Sequence, residues 1–411
     1  MNTRIAAVLL TFVLALPGAA AERWVGTWAS SPQLATPVQM PPGQGFADTT
    51  VRQLIRVSIG GTRIRVRLSN AFGTAPLAIV GAHVALAKGV TSAIDPASGR
   101  ALAFHGRASV TIPAGAVAVS DPLDFALPPL ADVALSLYLK GAPGTVTLHP
   151  GSRTTSYLQP GDALAAADLA APAKIDHWYF INGLDVEAGP DAAAVVVLGD
   201  SITDGRGSTT NGQDRWPDRL ARRLQANPAT ARVAVLNHGI GGNRLLRDGL
   251  GPNALARFDR DVLAQTGARW LLVLEGVNDL GTRVAARAKG ESWATADDII
   301  AAYEQIVRRA HGHGLRVYGA TILPLEGFAN YAAPDVEADR QRINDWIRTS
   351  GTFDGVVDFD RVARDPARPA RLSAAVDGGD HLHPSAAGYE VMANAIDLAL
   401  FEAQPKIPRR R

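Results

Sequence analysis

Cysteine is absent from the 411 residues. Disulfide staples, thiolate zinc sites, iron–sulfur clusters and cysteine nucleophiles are thereby excluded together. An excess of one charge is lacking too. Lys+Arg 41 against Asp+Glu 39 leaves +2, and Arg4, Lys406, Arg409, Arg410 and Arg411 at the two ends supply that excess. So balanced a chain has no basic footprint, and no nucleic-acid partner is expected. Aromatic residues are scarce at 6%. Beyond the first residues there is no uninterrupted apolar run of about 18 residues, the length a spanning helix needs. What is present suffices for large cores: 47% of the chain is apolar and 19% charged, too apolar for disorder.

Arg4 precedes an uncharged, mostly apolar run from Ile5 to Leu16, then Pro17, Gly18 and Ala19-Ala20-Ala21 before Glu22. A basic start, a short apolar segment and an Ala-x-Ala end describe a secretory signal over residues 1–21. The expectation is a secreted or periplasmic protein starting near Glu22, with no stable membrane insertion after cleavage. Residues 406–411 read as a basic tail.

The period of the apolar residues then divides the chain. Residues 22–187 read as strands and turns. In Arg63-Ile64-Arg65-Val66-Arg67-Leu68 charged and apolar residues alternate, as in a half-buried strand. Gly60-Gly61 just before it predicts a two-residue hairpin placing Val57 opposite Ile64 and Ile55 opposite Val66. Val133–Leu139 alternates likewise, and Val110–Ile112, Ala116–Val119 and Thr145–His149 are shorter candidates. The expected unit is an all-β, jelly-roll-type sandwich. Arg52, Arg56, Arg63, Arg65 and Arg67 would share or border one hairpin face, solvated, paired with acids of a neighbouring strand, or open to an anionic ligand.

Residues 191–405 read differently. Apolar runs at Ala192–Leu198, Val233–Leu236, Trp270–Leu274, Arg316–Ala320 and Gly355–Val357 alternate with helical segments at Trp216–Leu224, Leu255–Ala264, Ala296–Ala310, Val336–Arg348 and Ala386–Phe401. Thr295 and Asp298 form a capping-box pattern. Five apolar strands alternating with helices imply a parallel sheet covered on both sides. Ligands of such sheets bind beyond the carboxyl ends of the strands.

Polar motifs stand at those ends. The first strand runs into Gly199-Asp200-Ser201, which would project a hydroxyl over the sheet edge. The second ends in Asn237-His238-Gly239-Ile240-Gly241-Gly242-Asn243, where a glycine can offer a bare N–H to an oxyanion. The third ends in Glu275-Gly276-Val277-Asn278-Asp279, where Asn278 can add a side-chain donor or cap a turn. Before the last helix comes Asp377-Gly378-Gly379-Asp380-His381-Leu382-His383-Pro384. An Asp three residues before a His can accept its Nδ1–H and leave Nε2 as a base. His383 has such an Asp; His381 has Gly378 there. Each motif alone is also ordinary turn chemistry. Together they place a nucleophile, two donors and a base with its orienter at successive ends of one sheet.

This set resembles the SGNH (GDSL) hydrolase superfamily, in its exported members with an extra N-terminal β-domain. The resemblance covers about half of the chain, from Ala192 on. It implies a flavodoxin-like α/β/α sandwich and ester hydrolysis with no cofactor and no metal. It assigns Ser201 as nucleophile, His383 as base and Asp380 as its orienter. The oxyanion donors it implies are the N–H groups of Ser201 and Gly242, the latter rather than Gly241, and the Asn278 amide. Ile202 replaces the leucine of the Gly-Asp-Ser-Leu name at a packing position.

The function expected is that of an exported serine esterase acting through an acyl-enzyme. Short acyl groups, acetyl above all, on carbohydrate or another polar alcohol are the expected substrates, an acylated polysaccharide among them. A lipase, lysophospholipase or arylesterase would use the same triad. A metallophosphoesterase could use Asp200, Asp204, Asn243, Asn278, His381 and His383, but the first strand lacks an Asp-x-His pair to start such a site. An inactive carbohydrate-binding scaffold would not need every catalytic position filled. The α/β-hydrolase elbow Gly-x-Ser-x-Gly does not occur. Arg206, Ser208, Thr209, Thr210, Asn211 and Gln213 suggest a polar rim beside Ser201, and Leu325, Phe328 and Tyr331 an apolar wall within Pro324–Pro334.

Overall fold

A computed structural model describes residues 23–141 and 143–402. The expected signal segment 1–21 and the basic tail 406–411 lie outside the described residues. Among those described, no helix is long and apolar enough to cross a membrane.

The first half forms two large antiparallel sheets and, besides them, a three-stranded and a two-stranded one. One has the strand order Trp24–Ala29, Ile181–Glu187, Gly61–Ser69, Leu123–Leu127, with Val117–Val119 also pairing to Gly61–Ser69. The other runs Ala173–Ile175, Ser156–Pro160, Thr49–Arg56, Asp132–Leu139, Gly81–Leu86, Arg100–Ala101. Val51 and Ile55 of the second sheet and Ile64, Val66 and Leu68 of the first are buried in one core. The opposite face of Thr49–Arg56 is covered as well, with Leu54 packed among Ala85, Ala134, Tyr157 and Leu169.

The expected Gly60-Gly61 hairpin does not form. Thr49–Arg56 pairs with Asp132–Leu139 and Ser156–Pro160, while Gly61–Ser69 pairs with Ile181–Glu187 in the other sheet. The glycines mark a crossing between sheets. Thr49–Arg56 turns odd-numbered residues and Gly61–Ser69 even-numbered ones into the shared core, as the two arms of a Gly60-Gly61 hairpin would, so their alternation imitates a hairpin register. The arginines accordingly do not make one stripe. Arg52 is buried and donates to Ser136 Oγ and to the carbonyls of Ser92 and Ala166. Arg56 pairs with Asp132, Arg63 with Glu187, and Arg65 with Asp185. The acids of neighbouring strands take up these charges.

The second half holds a five-stranded sheet: β1 (Ala193–Gly199), β2 (Val233–Gly239), β3 (Ala268–Leu274), β4 (Arg316–Ala320) and β5 (Gly355–Val357). All neighbouring pairs are parallel, in the order β2-β1-β3-β4-β5. That order is flavodoxin-like, with its reversal between β1 and β3. β1 is buried along its whole length, which explains its unbroken apolar run. Helix Trp216–Ala226 packs with Ala386–Asn394, and Ala296–Gly312 with Pro334–Thr349. Thr295 and Asp298 exchange the expected capping bonds. The last helix is shorter than its apolar pattern suggests. It stops at Asn394, and Asp397 caps a separate 3₁₀ turn, Leu398–Phe401.

Edge strand β2 is covered by the first half. Ser58 Oγ accepts from the Val235 N–H at 3.0 Å and donates to the Val235 carbonyl at 3.0 Å. This blocks an edge that would otherwise be free to pair. It also sets the β-sandwich beside the strand that runs into the glycine loop.

Candidate active site

Asp200 ends the turn after β1 and caps the short helix Ser201–Asp204, its Oδ1 accepting the Ile202 N–H at 2.8 Å. Ser201 therefore sits at the first helical position, where N–H groups lack partners within the helix. Its Oγ lies 2.8 Å from His383 Nε2. His383 Nδ1 lies 2.7 Å from Asp380 Oδ2, and Asp380 Oδ1 accepts the N–H groups of His383 and Leu382 at 2.8 and 3.0 Å. The three-residue spacing thus folds the aspartate back under its own histidine. His381 points elsewhere, to Asp377 Oδ2 at 2.5 Å and against Gly327. That second pair uses an i, i+4 spacing and a left-handed His381, φ +66°, which spacing alone did not suggest.

Ser201, Gly242, Asn278, Asp380 and His383 line one cleft of about 400 Å³. Gly242 is left-handed, φ +68°, which exempts it from the cost a side chain would bring there. The Asn278 amide is fixed at both ends. Its Nδ2 donates to the Asn243 carbonyl at 2.8 Å, and its Oδ1 accepts from Tyr331 Oη at 2.8 Å. Its second N–H remains for the cleft.

Beneath the cleft, Arg257 is fully buried. It donates twice to Asn243 Oδ1, at 3.0 and 2.8 Å, and to the His238 and Gly199 carbonyls at 2.7 and 3.1 Å. It also reaches Ser31 Oγ of the β-sandwich at 3.0 Å. One guanidinium thus ties the ends of β1 and β2 to the glycine loop. Glu275 approaches it at 3.5 Å, and Asp200 and Asp279 are close enough to act on Glu275. Burial raises all three carboxyls, Asp200 to about 7, Asp279 to about 6 and Glu275 well above its ordinary value. Buried carboxyls next to each other favour the neutral form.

Of the residues considered for a metal site, Asp204 pairs with His149, Asn243 with Arg257 and His381 with Asp377. The polar stretch after Ser201 is also mostly committed. Asn211 bonds to Thr155 and Gln213 to Thr154, leaving Arg206 to line the cleft. Phe328 and Tyr331 form part of its wall. Leu325 instead lines a separate cavity, with Ala332, Pro334 and Ala370. Besides Arg257, the residues that sequence reasoning missed are those of the β-sandwich. Gln33, Gln39, Pro150, Gly151 and Arg153 all reach the cleft, from positions without any local motif.

A doubly wound sheet with these motifs at its strand ends defines a hydrolase of carboxylic esters. Residues 197–391 match the GDSL-like Lipase/Acylhydrolase family. That domain belongs to the family, and the chain adds an N-terminal β region to it. No curated protein matches the chain. Solved structures similar to it include an acetyl xylan esterase from Geobacillus stearothermophilus, at 23% identity over 53% of this chain and 100% of that one, TM-score 0.40. Another is a GDSL-like lipase from Bacteroides thetaiotaomicron, at 19% identity over 50% of this chain and 87% of that one, TM-score 0.38.

Proposed function

We propose that the protein is an exported esterase that removes short acyl groups, acetyl above all, from carbohydrate or another polar alcohol. The observation that carries the reading is the chain Ser201 Oγ–His383 Nε2–Asp380, with contacts of 2.8 and 2.7 Å. His383 takes the Ser201 proton as Oγ attacks the ester carbonyl. The N–H groups of Ser201 and Gly242 and the Asn278 amide receive the oxyanion. The proton then passes from His383 to the leaving alcohol, and water repeats the sequence on the acyl-enzyme. The cleft offers Gln33, Gln39, Arg153 and Arg206 beside the nucleophile, a lining suited to a hydroxyl-rich alcohol. The signal pattern of residues 1–21 supports action outside the cytoplasm.

The chain-length claim is tested with p-nitrophenyl esters. kcat/KM for acetyl is expected to exceed that for octanoyl by about tenfold, ~1.4 kcal/mol in the barrier. A preference for octanoyl would move the enzyme to the lipases.

The pH dependence follows from His383. Burial holds its imidazole below the ordinary value, and Arg206 and Arg153 push the same way against Asp380. Catalysis needs the neutral imidazole, so a lowered pKa keeps the active form populated to lower pH. The acidic limb of kcat/KM is therefore expected below about 6.5, the unperturbed histidine value. A midpoint at 7 or above would contradict this.

A further inference from the structure

We infer that the alcohol half of the preferred ester carries an anion, a carboxylate in particular, held between Arg153 of the β-sandwich and Arg206 of the hydrolase domain. This rests on the esterase reading and adds the charge of its substrate. The two arginines are brought together by construction. The Arg153 carbonyl accepts the Asn211 N–H at 2.8 Å, and Asn211 and Gln213 bond to Thr155 and Thr154. These contacts zip loop 206–213 to loop 152–155 and bring both arginines to the lining of the cleft. Arg153 is left-handed, φ +51°, an uncommon backbone state for a side chain of its size. Gly151 beside it has no room for a Cβ, which would meet Asp204 Oδ2 at 1.9 Å.

The two arginines of the cleft stand against two aspartates, Asp204 and Asp380, each engaged by a histidine. Asp380 is engaged by His383 and two N–H groups. Asp204 is engaged by His149 Nε2 at 2.9 Å, and only its far oxygen approaches Arg153, at 3.5 Å. Arg153 Nε is buried without a partner. Arg206 is exposed, and among the described contacts its guanidinium has none. Both arginines act on His383, the group that hands its proton to the leaving alcohol. The oxyanion donors Gly242 and Asn278 belong to other strand ends. An anion satisfied by the two arginines therefore belongs to the alcohol and not to the acyl group. Guanidinium groups bind carboxylate through paired, charge-assisted hydrogen bonds.

The test compares 4-acetoxybenzoate with its neutral methyl ester, each rate divided by that for hydroxide-catalysed hydrolysis. The native enzyme is expected to favour the anionic ester in kcat/KM by about tenfold or more, the scale of one hydrogen bond to a charged group. The preference should weaken in added salt. It should fall towards unity in Arg153→Gln and reverse in Arg206→Glu, where the exposed position makes misfolding a minor concern. An enzyme that cleaves the neutral ester with no anionic preference overturns the inference and leaves the esterase reading standing. An enzyme that cleaves neither ester overturns both.

Discussion

Ser201→Ala is expected to lower ester turnover by on the order of 10⁶-fold, with the thermal transition unchanged within a few degrees. The reason is chemical and local. The change removes one oxygen, the one 2.8 Å from His383 Nε2, and leaves the backbone N–H of residue 201 in place. No other hydroxyl stands against that imidazole among the described hydrogen bonds, so no acyl-enzyme can form by this route. The donors at Gly242 and Asn278 would still polarise a bound ester, which leaves a small residual rate over water. The measurement is kcat on p-nitrophenyl acetate with a calorimetric scan of the same sample. A second check is mass spectrometry after a phosphonate probe, which should label the native protein at Ser201 and the variant nowhere. A variant that keeps near-normal turnover would end the nucleophile assignment.

How much of this was legible in the sequence depends on how local each feature is. β1 was readable because both faces are buried, so every position from Ala193 to Leu198 is apolar. Asp380 and His383 were readable because three residues suffice to close their contact. Arg257 was not. In sequence it is one of many arginines, and only the burial of Gly199, His238 and Asn243 around it reveals a hub. Arg153 reaches the cleft through the bond of its carbonyl to Asn211 and Gln33 through its bond to the Leu250 carbonyl, placements with no local signature. The Gly60-Gly61 hairpin was misread for a related reason. Alternation reports which side of a strand is buried, not which strand lies beside it.

The two histidines of the Asp377–His383 segment give the sharpest contrast. His383→Ala should cost about as much as loss of the serine, on the order of 10⁶-fold, because members of one proton-transfer unit fail together. His381→Ala should cost little in kcat. Its ring is held by Asp377 at 2.5 Å and lies against Gly327, away from Ser201. Its loss is instead expected in stability, as a paired carboxylate loses its partner. Asp380→Asn falls between. The asparagine oxygen can still accept the N–H groups of Leu382 and His383, now near 3 Å from Oδ1, so the loop keeps its shape. Its amide would then face Nδ1 with a donor, favouring the tautomer whose Nε2 carries the proton and cannot act as base. A loss of about 10⁴-fold is the expected scale. Single-turnover rates of the three variants on p-nitrophenyl acetate settle the order. Were His381→Ala the more damaging of the two histidine changes, the base would be His381 and the 2.8 Å contact of His383 a bystander.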